Sequence, residues 1–150
     1  MPVGTCDQEG WVHSPVRGRH PNLEEGLKTF IKHFAGERAA LAAEHWPGES
    51  IVHRSARDTE AGKLLELAQF GLQVRVCQSI YEWCDAQDVD PSVAYSWMAS
   101  TYNLGYEDLG DDHFIRPVLS HVPGDIGGHC VVQNMELLDH PIAKLMEEGL

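Results

Sequence analysis

The chain has 150 residues, 43% of them hydrophobic, which suffices for a core of its own and sizes it for one domain. Its formal charge is −12, from 23 acidic against 11 basic residues, a balance that repels phosphate backbones and argues against nucleic acid as a partner. No apolar run approaches the roughly 18 residues of a membrane span, and no signal-peptide layout opens the chain, so a soluble cytoplasmic protein without membrane contact is expected.

Residues 1–10 are small and polar and read as a loose lead-in; residues 11–150 read as one domain, with a strand/helix segment over 11–56 and a helical segment over 57–150. Trp11 to His13 reads as a short strand ended by Ser14-Pro15, and Pro21 to Gly26 opens a short helix. Phe30 to Phe34 reads as a strand stopped by Gly36, Glu37 to Trp46 as an alanine-rich helix ended by Pro47-Gly48, and Ser50 to Arg54 as a second strand. Asp58-Thr59-Glu60 offers an N-cap for a long helix reaching about Ala86. Its residues Leu65, Ala68, Leu72, Val76, Ile80 and Trp83 recur at i+3/i+4 spacing as one wide apolar face. A second helix follows over Pro91 to Asn103, then a polar loop over Gly105 to Asp112 and an extended segment over His113 to Leu119. Met135 to Glu148 reads as a closing helix that Pro141 interrupts.

The four cysteines are Cys6, Cys77, Cys84 and Cys130. Cys77 and Cys84, seven residues apart on one helix, stand about 10 Å from each other, beyond the ~7 Å a disulfide spans. Reduced thiols are expected. Cys130 differs from the others because it follows the glycine turn of Val122-Pro123-Gly124-Asp125-Ile126-Gly127-Gly128-His129 and stands where a new helix begins. Glycines permit positive φ and close approach to a ligand, and a thiol at a helix start is biased toward thiolate.

That stretch closely resembles the catalytic-cysteine motif of the UDP-glucose/GDP-mannose (nucleotide-sugar) 6-dehydrogenases. The resemblance continues upstream. Thr59-Glu60-Ala61-Gly62-Lys63-Leu64 is similar to the family's Glu-x-x-Lys-Leu helix, Cys84-Asp85-x-x-Asp88-Val89-Asp90 to its helix exit, and Ser14-Pro15-Val16-Arg17 to its Ser-Pro-Glu-Arg strand end. It covers residues 11 to 138 or so. The implied fold is a helix-rich α+β chain. Short strands from the tail of a nucleotide-binding-type domain precede a 6-phosphogluconate-dehydrogenase-like helical dimerisation domain with one long central helix, and a homodimer forms through that helix. The implied chemistry makes Cys130 the nucleophile toward an aldehyde derived from the sugar C6 alcohol, with Lys63 stabilising oxyanion charge. Gly127, Gly128, His129 and Asn134 fall at the substrate.

Three positions depart from the family pattern: Val16 replaces its glutamate, Leu67 its asparagine and Asn134 its aspartate. Leucine offers no hydrogen bond and asparagine is no general base. No G-x-G-x-x-G is present, so the chain alone binds no cofactor, and any NAD must sit on a separate nucleotide-binding chain.

Ser14 to Pro21 adds a cationic loop in which Arg17, Arg19 and His20 can hold a diphosphate or carboxylate. These signals together point to a diverged dehydrogenase-like domain that binds a nucleotide sugar or a similar anionic metabolite. Two alternatives stand beside it: a non-catalytic dimerisation or assembly module, and a small metal protein using His113, His121, His129, Cys130 and His140, whose spacing fits no compact zinc template. Trp46, Trp83 and Trp97 are read as core or interface anchors.

Overall fold

The computed structural model describes residues 1–18, 21–126 and 129–148, with the backbone alone for 129, 130 and 146–148. The architecture is helix-rich α+β. It divides into two compact units, one of residues 1–67 with 133–139 and one of residues 68–132 with 140–150.

The first unit is built on two parallel strands, β1 (Lys32–Ala35) and β2 (Ser50–His53), paired from Lys32↔Ser50 to Ala35↔His53. Helix α1 (Leu23–Thr29) precedes them and α2 (Ala39–Glu44) connects them. Strand β1 starts later than its apolar run suggests, because the Phe30 N–H still bonds to Gly26 O (3.0 Å) and closes α1. Helix α2 is shorter than predicted at its start, where Gly36 takes a φ of 110° to turn the chain out of β1. The predicted strand over Trp11–His13 reduces to one residue. His13 exchanges two backbone hydrogen bonds with Ala35 (2.8 and 2.9 Å) in an antiparallel bridge.

Helix α3 (Ala56–Ala86) is the long helix, 31 residues. Its cap is Ser55, whose Oγ accepts the Asp58 N–H (3.3 Å), so the helix begins before the predicted Asp58 cap. The predicted apolar face is corrected as well. Of its residues only Ala68 is buried, whereas Leu65, Val76 and Trp83 are exposed. The buried stripe is Ala56, Glu60, Leu64, Ala68, Gly71, Cys77, Gln78 and Cys84. Two of these are polar, and hydrogen bonds rather than hydrophobicity hold them inside. The buried Glu60 carboxylate accepts the N–H groups of Gly4 and Cys6 (2.8 Å to Cys6), so the lead-in expected to be loose is anchored to α3, with Cys6 packed beside Ala35 and Ala56.

In the second unit α3 ends at Ala86, and two residues on, Asp88, at a φ of 55°, lets the Val89 N–H return to Cys84 O (2.9 Å). Asp90 Oδ1 accepts the Ser92 N–H (2.8 Å) and starts the next helix where Asp90-Pro91 predicts it. That helix opens as a π-helical turn (Ser92–Trp97) and continues as α4 (Met98–Leu109). It runs through Gly105, so the predicted loop over 105–112 is helical as far as Leu109. A mid-helix glycine costs about 1 kcal/mol, and here the rings of Tyr102, Tyr106 and Phe114 pack together at 4.8 and 5.0 Å. Gly110, at a φ of 69°, closes α4.

A 3₁₀ turn (Asp112–Phe114) takes up the start of the predicted extended segment, which continues from Ile115 as extended chain that pairs with no strand among the described residues. Side chains fasten it: Asn103 brackets the Arg116 backbone (2.7 and 3.0 Å) and Tyr95 Oη accepts the Leu119 N–H (3.0 Å). Helix α5 (His129–Met135) begins six residues before the predicted closing helix, and α6 (Pro141–Glu148) starts at the proline expected to interrupt it. Among the described residues no helix is long and apolar enough to cross a membrane.

Candidate functional site: a charged cleft beside the paired histidines

In the first unit a cavity of about 310 Å³ is lined by Arg17, His33, His53, Thr59, Lys63 and Glu66, with Pro15, Asp58 and Gly62. Its volume lies at the low end of the roughly 300–1,000 Å³ typical of small-molecule sites. Three kinds of backbone meet there. Parallel strands place His33 and Ala35 of β1 on one sheet face with Ile51 and His53 of β2, because residues two apart in a strand share a face. Helix α3 brings Asp58, Thr59, Gly62, Lys63 and Glu66 at i, i+1, i+4, i+5 and i+8, which follows the helical turn.

The segment after His13 supplies Arg17 and is held at two points. Buried Lys32 donates from Nζ to Pro15 O (3.1 Å) and, more weakly, to Ser14 O (3.5 Å). Gly26 of α1 presses against the Arg17 backbone so closely that a Cβ there would stand 2.6 Å from Arg17 O. Burial lowers the Lys32 pKa.

Arg17 Nε stands 3.7 Å from one carboxylate oxygen of Glu66, and Lys63 Nζ stands 3.7 Å from the other. Both distances exceed hydrogen-bond length. Among the described residues Glu66 is the single ionic partner of either cation, so both keep donors to spare.

His33 Nδ1 and His53 Nε2 are 2.7 Å apart, and the rings are parallel within 3° with centroids at 5.0 Å. That separation suits imidazoles joined edge to edge by one N–H···N bond; in a face-to-face stack the ring planes would lie closer. The pair holds one ring's N–H against the other's lone pair. Desolvation, then the positive charge of Arg17 and the neighbouring His53, lowers the His33 pKa, with Glu66 pulling the other way.

Thr59 sits at the rim, its hydroxyl 2.7 Å from His13 Nδ1 and 3.0 Å from Ala56 O. A hydroxyl has one proton. Donating it to Ala56 O leaves Thr59 accepting from a neutral His13, whose pKa burial lowers first of all. This arrangement does not activate Thr59 as a nucleophile.

In the second unit the buried Gln78 of α3 donates both amide protons to the glycine turn, to Val122 O (2.8 Å) and Gly124 O (2.7 Å). Cys77, next to it, donates to Leu119 O (3.6 Å), and burial raises its thiol pKa. Burial, then Glu60, raises that of Cys6. Both thiols are thereby kept protonated. His121 stacks on Tyr81 (4.4 Å, 11°), His113 meets Phe114 edge-on, and His140 Nδ1 accepts the Ile142 N–H (3.2 Å). The three C-terminal imidazoles thus have separate local partners. Among the described residues no group of three or more His, Cys, Asp or Glu side chains is placed to hold a metal.

Of the residues singled out in the sequence, Arg17 and Lys63 come together in the cleft. Arg19, His20, Gly127 and Gly128 lie outside the described residues, as do the side chains of His129 and Cys130. The backbone puts Cys130 in the first turn of α5 and half-buried Asn134 near its end. His33, His53 and Gln78 are additions that sequence reasoning did not reach, whereas Glu66 is legible as a helix-surface acid that Lys63 can pair with. The histidines sit in two short strands whose register is invisible before the strands pair. Glu66 carried a signal, its i+3 spacing from Lys63. No family model matches the chain, and neither a curated protein nor a solved structure matches it.

Proposed function

We propose that this chain is a diverged nucleotide-sugar dehydrogenase-like domain that binds a nucleotide sugar or a similar anionic metabolite, with the Arg17–Lys63 cleft as its anion site. The observation that carries this reading is the convergence of two cations, 46 positions apart in the chain, on one cavity where each retains unused donors. Guanidinium and ammonium groups grip oxyanions through charge-assisted hydrogen bonds. The imidazoles of His33 and His53 add polar contacts on another wall.

The resemblance assigns the nucleophile's role to Cys130 and, on its own motif, oxyanion stabilisation to Lys63. Nicotinamide is assigned to a separate chain. The turn from β1 into α2 is Gly36-Glu37-Arg38, with one glycine and a carboxylate where a pyrophosphate would need bare backbone N–H groups. These residues do not fit a dinucleotide, so no hydride step is attributed to them.

Calorimetric titration of the full chain with UDP- and GDP-sugars tests the reading. Binding should weaken at least about tenfold in Arg17→Ala and in Lys63→Ala, since a charged hydrogen bond contributes about 1.5–3 kcal/mol. If no nucleotide sugar binds, or if neither substitution matters, the cleft is not the anion site.

A different observation favours a second role, homodimer formation through the long helix. On that helix Val76 and Trp83 are 40% and 60% exposed, and Trp97 and Met98 of the following helix are also at the surface. Large apolar side chains left in water commonly mark an interface.

A further inference from the structure

The Glu66 carboxylate straddles the two cations of the cleft, one oxygen toward Arg17 Nε and one toward Lys63 Nζ, each at 3.7 Å. A ligand's oxyanion would seek the same position. The three side chains are 38%, 48% and 28% exposed for Arg17, Glu66 and Lys63. Ion pairs this long and this wet contribute little to stability. Glu66 makes no other hydrogen bond or ion pair among the described residues, and as a helix-borne side chain it can swing to solvent by changing rotamer.

We infer that Glu66 is a built-in competitor that occupies the anion seat of this cleft, and that the seat is made for a doubly charged phosphoryl or diphosphate group rather than a monocarboxylate. The inference rests on the anion-binding reading above and names the ligand group that reading leaves open. A free monocarboxylate entering the seat replaces one carboxylate by another. It competes with a tethered group of high effective concentration. It gains no charge and no acceptor that Glu66 lacks.

A phosphoryl group differs on both counts. It brings about two charges and three acceptor oxygens, enough to engage the remaining guanidinium N–H groups, the ammonium and an outward imidazole N–H together. The charged groups facing the seat are Arg17 from the loop and Asp58, Lys63 and Glu66 from α3, with the imidazoles of His33 and His53 from the sheet. With Glu66 in place these charges cancel. With Glu66 turned out, the seat lies between two cations.

The test titrates the full-length chain at constant ionic strength with inorganic pyrophosphate, orthophosphate and acetate. Wild type should bind pyrophosphate at least about tenfold more tightly than acetate, as expected where charge-assisted donors choose between the two. Orthophosphate binding with the same ranking assigns recognition to the phosphoryl group itself, whereas pyrophosphate alone assigns it to the diphosphate. Glu66→Gln should raise pyrophosphate affinity about fivefold, the worth of an exposed ion pair, and adding Arg17→Ala should remove the gain. The exposure of Glu66 predicts an unchanged melting temperature for this variant.

Acetate binding as tightly as pyrophosphate overturns the phosphoryl preference. Unchanged or weaker pyrophosphate binding in Glu66→Gln overturns the competitor role while leaving the anion site standing. If neither protein binds any of the three anions, the anion-binding reading itself fails.

Discussion

Two imidazoles joined by one N–H···N bond can accept a single further proton on an outer nitrogen, but a second would set two N–H groups against each other. The His33–His53 pair is therefore a one-proton device beside Arg17 and Lys63. Burial first, then Arg17, lowers the His33 pKa, so His33 is neutral near neutrality and takes a proton only on the acid side of the ordinary histidine range. An anion in the cleft favours the protonated pair, and by linkage the protonated pair favours the anion. Affinity for a UDP-sugar, whose diphosphate keeps its charge over this range, should rise about three- to tenfold as pH falls from about 7.5 to 5.5. Calorimetry in buffers of different ionisation enthalpy should register proton uptake, and His33→Asn with His53→Asn should flatten the profile. A wild-type affinity independent of pH removes the pair from the site. At this scale the sequence showed the two cations, because arginine in a glycine loop and lysine at a helix start are conspicuous locally. It could not show the histidines, which meet through strand register across 20 residues.

Helix α3 illustrates the same limit for a whole element. Its existence, its length to Ala86 and the helix restart at Asp90-Pro91 are legible, because caps, prolines and i+3/i+4 spacing act within a few residues. Its buried side is not. Glu60 and Gln78 are enclosed because their carboxylate and amide meet backbone N–H and C=O groups more than 40 residues away, at Gly4, Cys6, Val122 and Gly124. Gln78 holds the turn that precedes Cys130. Gln78→Leu should cost about 1–2 kcal/mol, because two carbonyls near the surface trade a fixed donor for water. It should also change the rate at which iodoacetamide labels Cys130. Urea denaturation and labelling kinetics check both effects, and a variant matching wild type in each would show that the turn does not depend on Gln78.

For the whole molecule the open question is what covers the apolar residues outside the buried stripe. Val76 and Trp83 lie seven residues apart on one face of α3, the spacing of a helix–helix seam. An isologous pair would bury each residue twice, and covering one large apolar side chain is worth about 1.5–3 kcal/mol. Val76→Glu with Trp83→Glu should therefore weaken self-association at least about 100-fold while leaving the helical circular-dichroism signal intact. Sedimentation equilibrium measures this directly, and a wild type that is monomeric at every concentration would refute the homodimer.

By itself the sequence determined the kinds of element, most of their order, their glycine and proline breaks and the cations Arg17 and Lys63, since these depend on near neighbours along the chain. Only the tertiary structure decided that His33 would meet His53, that Glu66 would stand between the cations, and that Glu60 and Gln78 rather than Val76 and Trp83 would be enclosed. Helix formation is a matter of one turn and its caps. Burial is a competition among surfaces, and it was won here by hydrogen bonds closing loops of up to 56 residues.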